Sequence, residues 1–122
     1  MVAYLEEYMR LLQRGVAVFD DLLALYTPDK QTEKDWADII SDTRNQRRSF
    51  AERLADPPAD VTAEETSPVA RSVRQYVDSH WADYREFPVA SADKRARLEA
   101  LHTQLGAIAN GIGQIYNAVR TP

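Results

Sequence analysis

From Leu98 onward an apolar residue returns at spacings of three and four, through Leu98, Leu101, Leu105, Ile108, Ile112, Ile115 and Val119. Such a stripe runs along one side of a helix and is buried against other helices. The same spacing recurs in Leu5, Tyr8, Leu12, Gly15, Phe19, Leu22 and Tyr26, and again in Ala70, Val73, Val77, His80, Tyr84 and Phe87. A weaker stripe, Trp36, Ile40, Thr43, Arg47, Phe50 and Leu54, has polar residues at its two middle positions. Those two lie within an unbroken polar run from Ser41 to Ser49, so this helix is not buried all round. No segment competes as a strand.

Prolines divide the pattern. Pro28, Pro57, Pro58, Pro68, Pro88 and Pro122 all fall where helices should start, stop or be absent. Helices are predicted over about 2–26, 32–55, 67–87 and 91–120, with an acidic, proline-rich loop over about 56–66. Thr32 followed by Asp35 resembles a capping box and marks the second start. Ser67 as N-cap with Pro68 at the first helical position opens the third, and Ser91 with Asp93 opens the fourth. The short connections near 27–31 and 88–90 make their flanking helices antiparallel. The expected fold is one all-α domain over 1–122, an antiparallel up-down-up-down four-helix bundle. The alternative is two helical hairpins paired in a dimer. The deepest side chains should include Leu12, Phe19, Leu22, Trp36, Ile40, Val73, Val77, Leu101, Leu105, Ile108 and Ile112.

Composition narrows the chemistry. At 122 residues the chain is long enough to bury a core without staples, and it has no cysteine. That removes disulfides, thiolate metal sites and cysteine nucleophiles, and it agrees with the expected cytoplasmic location. Glu6, Glu7, Arg10, Arg14, Asp20 and Asp21 interrupt the first apolar helix, so neither a secretion signal nor a membrane span is expected. A net charge of -4 and a pI near 5.1 disfavour a protein that grips nucleic acid over its whole surface.

Three groups of residues are candidates for function. The first helix is apolar beyond its seam, with Met9, Val16 and Leu23 on one flank and Leu11, Val18 and Leu25 on the other. A surplus of this kind meets a partner or a second copy, or it marks the most central helix of the bundle. Arg44, Arg47 and Arg48 form an anion-binding candidate, because guanidinium forks match phosphate oxygens; the competing reading is a solvated, ion-paired face. Thr43 and His102 are predicted at similar heights in the bundle with His80 about a turn away, so the three could line a polar pocket; the competing reading is a core His80 bonded to one neighbour and a half-exposed His102. Carboxylates are missing from the helix seams, so no metal site is expected. No cofactor is expected either.

Two short resemblances bear on activity. The segment from His102 to Asn110 resembles the phosphoacceptor helix of histidine phosphotransfer domains, with Gly106, Ala109 and Asn110 matching that pattern. The resemblance implies a phosphate on His102, but Leu105 stands where the family has lysine, and this helix is the last rather than the second. Arg74 and His80, with five residues between them, resemble the arginine-to-histidine motif of HEPN ribonucleases. Six positions on a straight helix separate two side chains by about 120°, so a shared site needs a kink or a dimer. Gly106, Ala109 and Gly113 instead suggest a ridge of small residues that another helix backbone approaches closely. The function expected is that of a non-enzymatic interaction module: an adaptor, assembly subunit or small regulatory protein bound to a protein partner or a second copy. Phosphotransfer through His102, RNA cleavage through Arg74 and His80, and a place in a nucleic-acid complex through Arg44, Arg47 and Arg48 are the alternatives.

Overall fold

The computed structural model describes residues 2–120, so Pro122 lies outside the described residues. Six helices cover 85% of the described residues and no strand occurs among them. They are α1 (Val2–Tyr26), α2 (Lys30–Asp35), α3 (Ala37–Ala55), α4 (Ala63–Ser79), α5 (Trp81–Glu86) and α6 (Ala92–Arg120). The long α1 packs on both α3 and α6, and α6 packs on α4. Two neighbours explain the wide apolar arc of α1. Leu12, Phe19 and Leu22 are fully buried on its seam, Leu11 and Val18 are buried on a flank, and Met9, Val16 and Leu23 are partly buried against the same core.

Side-chain contacts between helices run in opposite sequence directions. Asp20 meets Arg47 while Gly15 faces Phe50, and Asp21 meets Arg97 while Leu11 faces Gly111. From Asp42 to Arg53 on α3, the partners on α4 step back from His80 to Glu65. Of the expected core, every member is buried except Trp36, which is half-buried.

Trp36 departs from expectation because the second predicted helix is broken there. It caps the end of α2 and the start of α3 with φ -117° and ψ 31°. The break turns the indole onto Phe87, ring centroids 5.2 Å apart, and Phe87 in turn meets Tyr26 at 4.7 Å. The start also moves. Asp29, not Thr32, is the N-cap: its Oδ1 accepts the Thr32 amide at 2.8 Å. That hydrogen bond holds the exposed Asp29 carboxyl below its ordinary pKa.

The third predicted helix starts earlier and splits. Thr62 Oγ1 accepts the Glu65 amide at 3.1 Å, and Glu64 and Glu65 lie in the positively polarised first turn. Ser67 and Pro68 therefore lie inside α4, and the loop is confined to 56–62. Pro68 removes the donor that the Glu64 carbonyl would have used, a loss that water can repair at an exposed residue. At the other end His80 breaks the helix, with φ -107° and ψ 17°, and separates α4 from α5. The last start is as expected: Ser91 Oγ accepts the Lys94 amide at 3.2 Å and α6 follows.

The ridge of small residues on α6 is the other correction. A Cβ built on Gly106 or Gly113 meets nothing within 4 Å, so no described helix closes over those two glycines, although Ala109 between them is buried. The glycines that do allow close approach are Gly15, under the Phe50 ring, and Gly111, whose Cβ would stand 2.9 Å from Leu11 Cδ1.

Candidate functional site

The backbones of α3 and α4 approach at few points, and polar side chains bridge the space between them. Thr43 is fully buried; its hydroxyl donates to the Ile39 carbonyl at 2.6 Å and lies 2.7 Å from the Tyr76 hydroxyl. Thr43 has a single proton to give, so Tyr76 is the donor in that pair. Burial pushes the Tyr76 hydroxyl well above its ordinary pKa and keeps that proton in place. Gln46 Nε2 donates to Ser72 Oγ at 2.6 Å one turn further along.

His80 closes the row. It is 7% exposed, and its Nδ1 lies 2.7 Å from Asp83 Oδ2 while its Nε2 lies 2.8 Å from Asp42 Oδ2. A neutral ring has one proton and serves one carboxylate; a doubly protonated ring serves both. Asp83 lies three residues on, within the reach that helical spacing gives, and Asp42 comes from α3. The outer side of the bridge forms an open cleft of about 270 Å³, lined by Asp42, Asn45, Gln75 and Ser79 among others.

His102 sits apart from this row. It is 5% exposed and stacks on Tyr84, with centroids 3.7 Å apart and planes 17° from parallel. Burial, with a smaller contribution from His80, pushes its pKa down to about 4, so the ring is neutral near pH 7. Of the expected trio, the structure links Thr43 to His80 through Tyr76, whose ring lies 5.0 Å from the imidazole. These side chains fill the interior rather than line a cavity. The cleft that does exist borders His80 and neither Thr43 nor His102.

The three arginines of α3 do not converge. Arg47 Nε donates to Asp20 Oδ1 at 2.8 Å, Arg48 Nη1 donates to Asn45 Oδ1 at 3.2 Å, and Arg44 is exposed without an ion pair to a described residue. Arg74 and His80 also diverge: Arg74 donates to Asn110 Oδ1 on α6, whereas His80 faces α3 and α5.

A second, larger depression of about 490 Å³ runs between α4 and α6. Arg71 and Arg74 stand on its α4 wall, and Asn110, Gln114 and Asn117 on its α6 wall, with Gly113 between the amides. Gly113 belongs to the small-residue ridge that the sequence shows, whereas Arg71 is not among the sequence's candidates. The signal for the arginines was present, since residues three apart on a helix share a face. Among the described residues no three His, Cys, Asp or Glu side chains are grouped to hold a metal ion, and no helix is long and apolar enough to cross a membrane. No family model, curated protein or solved structure matches this chain.

Proposed function

We propose that this chain is a non-catalytic interaction module: an up-down-up-down bundle of α1, α3, α4 and α6 that offers a helix face to a protein partner in the cytoplasm. The observation that carries this reading is the open face of α6. Gly106 and Gly113 lie two turns apart on one side of the helix, with empty space where a side chain would stand. An interior glycine costs about 1 kcal/mol relative to alanine. The chain's own packing gives no return for that cost, whereas a partner backbone close against the ridge would.

The enzymatic alternatives have weaker support. A phosphoacceptor must reach solvent, and His102 is buried under Tyr84. A nuclease pair must face one phosphate, and Arg74 and His80 engage different helices. Arg47 is committed to Asp20, which reduces the anion-binding candidate on α3 to Arg44 and Arg48.

A photocross-linking amino acid placed at Gln114 in cells tests the proposal. Discrete adducts that vanish in the Gly106→Leu/Gly113→Leu variant, with its melting temperature maintained, are expected. Adducts that persist in that variant, or none from this face, would count against it.

A further inference from the structure

The α4–α6 groove differs in charge from the molecule that carries it. The chain has a net charge of -4, yet the groove is lined by two arginines and no acid. Arg71 is exposed and makes no hydrogen bond or ion pair to a described residue. Arg74 reaches across to Asn110, and the carboxylate paired with it among the described residues, Asp78 at 3.9 Å, lies outside the groove lining. Opposite them Asn110, Gln114 and Asn117 are spaced four and three residues apart and form a row of amides along α6. Gly113 opens the floor between the two walls.

The geometry points to the α4–α6 groove as the docking site for an acidic helix of a partner protein. This rests on the reading of the chain as an interaction module and adds the partner's chemistry. Arginine forks pair with carboxylates on one edge of the incoming helix, amides accept and donate along the other, and small residues face Gly113 so that the backbones close. The lining runs from Ser67 to Arg74 on one wall and from Ala109 to Asn117 on the other, about two helical turns each, which is enough to seat two turns of a partner helix. A second copy fits less well, because two chains at -4 repel over the rest of their surfaces.

A display library of helical peptides, randomised on one face, is selected against the full chain. The enriched sequences should carry Asp or Glu on that face beside small residues. A fluorescent peptide from the selection should bind Arg71→Glu/Arg74→Glu at least about tenfold more weakly, and should lose affinity as salt rises. Gly113→Leu should weaken it comparably. Arg71→Gln/Arg74→Gln serves if charge reversal disturbs the helical circular dichroism. Peptides that bind the variants as well as the parent would overturn the groove and leave the interaction module standing, while a selection that yields no helical binder would overturn both. Neutral or basic winners would refute the acidic assignment. So would a light-scattering mass that doubles in the parent and not in the charge-reversed chain, since the occupant would then be a second copy.

Discussion

Thr43 and Tyr76 hold each other's hydroxyls 2.7 Å apart at the centre of the α3–α4 interface, with Tyr76 as the donor. The two removals are therefore unequal. Thr43→Val leaves the Tyr76 proton buried without this acceptor and should cost about 1–3 kcal/mol. Tyr76→Phe leaves Thr43 still bonded to Ile39 and should cost about 1 kcal/mol. The double variant should be less destabilised than the sum of the singles. Urea denaturation of the four proteins checks this, and strict additivity would show that the pair is not coupled.

Stability should fall in mild acid through His102. Its folded pKa is about 4, against about 6.5 for an ordinary histidine. Between those values the unfolded chain binds a proton that the folded chain refuses. The contribution is thus present above about pH 6.5 and is lost as pH falls toward 4, by up to ~3 kcal/mol. His102→Gln should show a shallower fall of unfolding free energy over that range. Identical slopes would place the acid sensitivity elsewhere.

The glycines should divide by surroundings. Gly106→Ala and Gly113→Ala meet open space and should each stabilise the fold by up to about 1 kcal/mol. At Gly15 a new Cβ overlaps the ring of Phe50, which is itself fully buried, so Gly15→Ala should destabilise by about 1–3 kcal/mol. Thermal melts of the three variants give the signs directly.

Leu105 and Ile108 are both buried on the α6 seam. Truncating either to alanine should cost roughly 2–5 kcal/mol. A loss below about 1 kcal/mol at both sites would mean that the seam faces something other than a packed core.

The strong seams were legible because burial repeats with the helical period. The seams of α1 and α6 placed Leu12, Phe19, Leu101 and Ile108 in the core, and the all-helical class followed from them. The breaks were harder to read. Trp36 and His80 each interrupt a segment whose apolar spacing continues across the break, so periodicity could not reveal the interruption. The contacts made at these breaks are tertiary: the Trp36 ring on Phe87, and the Asp42 carboxylate on His80. Thr62 and Glu65 formed a readable capping box, overshadowed by a proline that fits equally well at a first helical position. Asp83, three residues after His80, was also within reach of a helical-spacing argument. Asp42 was not, because its partner is 38 residues away in sequence. The α4–α6 groove depends on which helices become neighbours, and the open space over Gly113 is a property of that packing alone.

On the proposed function, this chain works by lending its α4–α6 face to a partner. Mapping the amide chemical shifts of the isotope-labelled full chain, as a selected acidic helical peptide is added, tests it most directly. Perturbed signals should cluster in Ser67–Arg74 and Ala109–Asn117, leave the Asp42–His80 cleft unmoved, and disappear in Arg71→Glu/Arg74→Glu. Perturbations centred on Asp42, Asn45 and Ser79, or persisting unchanged in the charge-reversed chain, would contradict it.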